Sequence, residues 1–209
     1  MVLQLFGHPL SSYHQKALIA FYETGTTFKL RMLDEDNSRN LEQFLSLWPV
    51  GKFPLLVDGD KTIMESSIII EYVAPQLVPK DIEIEVRMLD RIFDNYVMTP
   101  MQKFSADAMR PVDAKDPAGV ADAASLLDNA YAWINTRLAQ RKWAAGDAFT
   151  LADCAAAPAL FYANWALPIP SGLGNLNGYV SRLQSRPSVV RAAREAGPFL
   201  HMVPLPKRA

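Results

Sequence analysis

The chain predicts an α/β N-terminal domain followed by an all-α C-terminal domain, and three observations carry that prediction. Short apolar runs with strand character occur only in the first third of the sequence. After Pro79 the apolar residues recur at helical spacing instead. Between the two regimes, residues 76–80, marked off by Pro75 and Pro79, read as a linker. The expected division is therefore 1–75, a linker at 76–80, and 81–209.

Each element has its own signal. Residues 2–6 are a short apolar run suited to a buried strand. Ser12, Tyr13, His14 and Gln15 have the form of a capping box, with Ser12 as the cap. Ala17, Leu18, Phe21 and Tyr22 then supply an apolar helical face as far as Gly25. Residues 28–33 alternate as a strand does, and residues 40–47 read as a short helix that stops before Pro49 and Gly51. Residues 55–57, the Asp58-Gly59 turn and Thr62-Ile63 make a hairpin, and a further helix ends at Pro75.

In the second half, Ile82, Val86, Leu89, Phe93 and Tyr96 fall at helical spacing. Pro100 is expected to kink that helix, and Pro111 to end it or lie just beyond it. Ala124, Leu127, Tyr131, Ile134 and Leu138 form a second stripe. Thr150 and Asp153 make a capping box with Asp in place of Glu. The helix they open is rich in alanine and nearly uncharged, which suits a central, buried position. Residues 176–183 and 189–196 are shorter helices split by Pro187.

Composition removes several function classes. A formal net charge of -1 over 209 residues gives no electrostatic footprint for nucleic acid. No apolar run is long enough to span a membrane, and the first residues lack the basic start of a secretory signal. The one cysteine, Cys154, cannot form an internal disulfide, which fits a reducing compartment, and there is no Cys-x-x-Cys for dithiol exchange. His8, His14 and His201 have no metal-site spacing, so no metal is expected.

Two stretches carry chemistry. Gly7-His8-Pro9-Leu10-Ser11-Ser12-Tyr13 follows the first strand. Gly51-Lys52-Phe53-Pro54 leads into the hairpin, and Glu65-Ser66 opens the helix after it. A helix N-terminus presents free N–H groups and a positive dipole end, and so suits a carboxylate. These residues, with the order βαβ, α, ββα, resemble the thioredoxin-like half of the cytosolic glutathione transferase family. The helical half and its Thr150-Asp153 box extend the resemblance over nearly the whole chain.

The resemblance implies glutathione as cosubstrate. Its cysteinyl backbone would pair with Phe53 beside a cis Phe53–Pro54 bond. Its γ-glutamyl carboxylate would be taken by Ser66, the neighbouring ammonium by Glu65, and the glycyl carboxylate by Lys52. Pro49, preceded by Trp48, stands where the family often has asparagine.

The sulfur must react as thiolate. A free thiol has a pKa of about 8.5, and lowering it by two units takes about 2.7 kcal/mol. One hydrogen bond to a charged acceptor gives about 1.5–3 kcal/mol and a helix N-terminus about 0.3–1, so no metal or general base is needed. The candidate donors are Ser11, Ser12 and Tyr13. A capping role for Ser12 leaves Ser11 free. Alignment with the serine-type classes also selects Ser11, and alignment with the bacterial cysteine-type class selects Tyr13.

The electrophile is expected between the domains, against Tyr96, Met98, Met101, Phe104 and Met109 from one helix and Tyr162 and Trp165 from another. By resemblance the protein is a cytoplasmic homodimer that conjugates glutathione to a small, mostly apolar electrophile. The alternatives are a glutathione-dependent isomerase, for which Arg110 is the one basic residue expected near the cleft, a peroxidase, or a non-catalytic glutathione-binding module.

Overall fold

Residues 2–205 are described by the computed structural model; residues 1 and 206–209, the outer ends of the two expected domains, lie outside the described residues. The strands are β1 (Leu3–Gly7), β2 (Phe28–Met32), β3 (Leu55–Asp58) and β4 (Lys61–Met64), in the spatial order β2-β1-β3-β4. β1 runs parallel to β2 and antiparallel to β3, and β3 turns back on β4 with Asp58 opposite Lys61.

The parallel pair is joined by α1 (Ser12–Thr24), which Gly25 terminates in the left-handed conformation at φ 64°, a geometry glycine adopts without a Cβ penalty. α2 (Ser38–Leu47) and α3 (Ser66–Val73) complete this part. β1 is apolar apart from Gln4, and its neighbours Leu5 and Phe6, which point to opposite faces, are both fully buried because the sheet is covered on both faces. Leu5 packs with Leu56 into the main core on the side of α1 and α3, while Phe6 packs with Phe44 of α2 and Leu55 in a smaller cluster.

The remaining chain is helical: α4 (Glu83–Ile92), a π-helical turn (Phe93–Met98), α5 (Thr99–Ala108), α6 (Pro117–Arg137), α7 (Leu151–Ala166), α8 (Gly174–Ser185) and α9 (Pro187–Ala196). Pro100 does not break the chain between α4 and α5. A proline lacks the N–H for the i→i−4 bond and its ring crowds that carbonyl. The π turn relieves both, and the Thr99 N–H reaches back to the Asp94 carbonyl, five residues away. Pro111 lies beyond the end of α5, as expected.

The wider turn also changes which side chains face inward. Val86, Leu89 and Phe93 keep the predicted stripe, but Tyr96 is 50% exposed, and Val97 and Met98 are buried in its place. α7 is buried from Leu151 to Leu160 and runs through the centre of the core. The Asp153 carboxylate at its start accepts from the Thr150 N–H (2.8 Å), the Thr150 hydroxyl (3.1 Å), the Ala144 N–H (2.9 Å) and the Tyr179 hydroxyl (2.6 Å). No described helix is long and apolar enough to cross a membrane.

Candidate active site

Three segments from the α/β half meet at one cleft of about 440 Å3. The first is the start of α1. Its N-cap is Ser11, not Ser12: the Ser11 Oγ accepts from the His14 N–H at 3.4 Å. Gln15 does not close the expected box, because its side-chain amide donates to the Pro9 carbonyl (2.8 Å) and the Tyr162 hydroxyl (3.1 Å). Ser11 and Tyr13 line the cleft; Ser12 is buried and does not.

An oxygen that accepts from the helix amide keeps its own proton free, so capping and donation into the cleft are compatible in Ser11. The first turn of α1 carries no acidic residue, which leaves its positive end unneutralised. Burial and the nearby Asp94 carboxylate push the Tyr13 phenol up to about 12, so it is protonated at neutral pH.

The second segment enters β3. The Phe53–Pro54 peptide bond is cis, and the Phe53 N–H and C=O have no backbone partner among the described residues. Gly51, Lys52, Phe53 and Pro54 all line the cleft. The third segment is the start of α3. Glu65 caps it at φ 68°, the one non-glycine with positive φ among the described residues, and Ser66, the first helical residue, is 4% exposed. Strained backbone of this kind costs about 1–3 kcal/mol and is held where surrounding structure demands it.

The opposite wall departs from expectation. It is built by Arg91, Asp94, Asn95 and Gln102. None of the seven apolar residues assigned to the second-substrate pocket lines this cleft. Met98 and Met101 are buried in the core, with Phe104 and Trp165 packed against it. Met109 is 69% exposed. Tyr96 faces a different hollow, shared with Ile92, Leu126 and Trp133. Tyr162 donates to the Leu10 carbonyl at 2.7 Å and so ties α7 to the loop before α1. For the residues on the α4–α5 segment the physical reason is the π turn, which rotates that wall by part of a turn; Tyr162 and Trp165 are on α7, which packs at the centre of the core.

A buried charge network stands under the wall. The Lys16 ammonium, 1% exposed, meets Asp90 at 2.6 Å and Asp94 at 2.7 Å and donates to the Ser67 hydroxyl at 2.9 Å. Arg91 also pairs with both carboxylates, at 2.5 Å and 3.2 Å. Burial raises the Asp94 pKa, with the Lys16 charge opposing it. Cys154 is buried, and burial drives its thiol well above the usual range, so it is no nucleophile. No group of acidic, histidine or cysteine residues suited to a metal occurs among the described residues.

His14 lies just behind the site, on α1. Its ring is buried against Gly7, where any Cβ would collide with it, and both ring nitrogens lack a partner. Burial, with a smaller contribution from His8, lowers its pKa from 6.5 to about 3. Below pH 6.5 the unfolded chain takes up a proton that the folded chain refuses until about pH 3, so stability is lost as pH falls through that window. At pH 4.5 the loss is about 2.7 kcal/mol relative to neutral pH. Denaturant unfolding at the two pH values should show it, and His14→Leu should flatten the slope; an equal slope in that variant would refute the assignment.

Residues 1–75 match the family model "Glutathione S-transferase, N-terminal domain", and residues 117–182 match "Glutathione S-transferase, C-terminal domain". Glutathione S-transferase 3 of Zea mays is 30% identical over 163 residues, covering 72% of this chain and 73% of that protein. The chain belongs to the glutathione S-transferase family. A glutathione S-transferase of Arabidopsis thaliana is 26% identical over 181 residues, covering 77% of this chain and 83% of the relative.

Among solved structures, a glutathione transferase from Populus trichocarpa superposes with a TM-score of 0.80 at 21% identity, over 93% of this chain and 99% of that one. One from Burkholderia graminis, with two glutathione molecules bound per subunit, gives 0.80 at 21% identity, over 94% and 88%. These neighbours share the fold: a four-stranded mixed sheet with helices, followed by a helical part.

Proposed function

We propose that this family member is a serine-type glutathione transferase. The observation that carries the reading is the convergence on one cleft of Ser11 at the start of α1, the Phe53–Pro54 turn, and Glu65-Ser66 at the start of α3. Glutathione would lie extended across the three. Phe53 supplies its backbone N–H and C=O to the cysteinyl residue, Ser66 its N–H and hydroxyl to the γ-glutamyl carboxylate, Glu65 a counter-charge to the ammonium, and Lys52 one to the glycyl carboxylate. The thiol loses its proton to solvent, and the thiolate is held by the Ser11 hydroxyl at the positive end of α1. It then attacks an electrophile placed against the π turn and α5.

The division into a glutathione-binding part at 1–75, a linker at 76–80 and a helical part at 81–209 belongs to this proposal, as does a cytoplasmic location. So does a homodimer, supported by apolar side chains exposed on α3, α4 and α6: Ile68 (52%), Ile84 (74%), Met88 (43%) and Trp133 (43%). Arg110, the basic residue that an isomerase would use for a dicarboxylate, is exposed and does not line the cleft.

Ser66→Ala tests the binding mode. Losing a donor to a carboxylate should weaken glutathione affinity by about 1–3 kcal/mol, measured by titration calorimetry. Unchanged affinity would overturn the site.

A further inference from the structure

We infer that the electrophile taken by this cleft carries a neutral hydrogen-bonding group, such as a primary amide or a hydroxyl, recognised by the side chains of Asn95 and Gln102. The inference rests on the glutathione reading above and names the substrate class for that same site.

Asn95 lies in the π turn and Gln102 on α5, seven positions on, close to two helical turns, and both line the cleft. Both are exposed, and neither amide has a hydrogen-bond partner among the described residues. Each therefore offers one acceptor and two donor hydrogens that no protein group uses. The charged members of the same wall are already committed. Arg91 is matched by Asp90 and Asp94, and Asp94 is matched by Lys16 as well.

The wall thus presents uncommitted dipoles and little unbalanced charge. An all-hydrocarbon acceptor docked here would strip water from two amides and return nothing, which binding penalises. An acceptor with its own donor and acceptor replaces that water in kind. A carbamoyl group, with a carbonyl oxygen and an NH2, is complementary to either side chain.

The test uses two preformed glutathione thioethers of nearly equal shape, S-(2-carbamoylethyl)glutathione and S-(3-methylbutyl)glutathione, with glutathione itself as reference. Calorimetry should give the carbamoyl conjugate a Kd about five- to tenfold lower than its hydrocarbon twin, the equivalent of one or two net hydrogen bonds. The Asn95→Leu/Gln102→Leu protein should reverse that order while binding unmodified glutathione as before. Tighter binding of the 3-methylbutyl conjugate by the unaltered protein, or a ratio that the double variant leaves in place, would overturn the inference.

Acrylamide with glutathione supplies the turnover arm. The S–C bond forms at the β-carbon and the alkene pair passes to the α-carbon. That carbon takes a proton from water in place of the one the thiol released. If the conjugates bind in the expected order but acrylamide is not consumed, the transferase reading fails and the recognition by Asn95 and Gln102 stands. If glutathione does not bind at all, both fall.

Discussion

Ser11→Ala is expected to bind glutathione nearly as tightly as the unaltered protein but to lose most of its conjugating activity near neutral pH. The carboxylate contacts proposed for Ser66 and Lys52 are untouched by the change, so affinity is retained. The thiolate loses the hydroxyl donor proposed for it, and the bound thiol pKa should rise by about one to two units, the equivalent of about 1.4–2.7 kcal/mol. Conjugation at pH 6.5 should fall by roughly 10- to 100-fold. It should recover in part at higher pH, where the thiol ionises unaided. A thiolate ultraviolet difference spectrum of bound glutathione across pH measures the shift directly.

Because Ser11 is also the N-cap of α1, the same variant should lose about 1 kcal/mol of stability. Ser12→Ala, at a buried position off the cleft, should leave the thiol pKa in place. If Ser11→Ala leaves the pKa unchanged and Tyr13→Phe raises it, the phenol is the donor and the serine-type assignment is wrong.

Which features could be read in advance follows from how local their causes are. The Thr150-Asp153 box joins residues three apart, and the hydrogen bonds that close it are where the pattern puts them. Phe53-Pro54 and Glu65-Ser66 are dipeptides at element boundaries, and the sheet order brings both boundaries to one cleft. Ser12 with Gln15 fitted an equally local pattern and misled, because Gln15 answers to Tyr162, a partner 147 residues away. Nothing within four residues of Gln15 encodes that choice.

The wall opposite Ser11 differs from the expected residues for another reason. A helical period of 3.6 continued through Pro100 predicts one face, but the π turn adds a residue where that face borders the cleft. A signal was available: a proline set within a continuous apolar stripe has to be accommodated by a kink or a wider turn. A wider turn moves Tyr96 outward and brings Asn95 to the cleft.

Lys16→Met should be the most destabilising of the single changes considered, by about 3–5 kcal/mol in denaturant unfolding. The lysine is 1% exposed and Asp90 2%, so removing the cation strands a carboxylate away from water, and that costs far more than losing a surface pair. Arg91 and the Ser67 hydroxyl, which donates to Asp90 at 2.8 Å, hold the cost toward the lower end.

The penalty should shrink as pH falls, since a stranded carboxylate is relieved by taking a proton; burial already biases Asp94 in that direction. Lys16→Met/Asp90→Asn should recover much of the loss, with a coupling of about 0.5–3 kcal/mol between the two sites. The network ties α1 to α3 at Ser67, next to Ser66, and to the π turn at Asp94. Glutathione affinity should therefore fall along with stability in the single variant and return in the double one. Strictly additive effects would mean that Lys16 stabilises the core without coupling α1, α3 and the π turn beside the cleft.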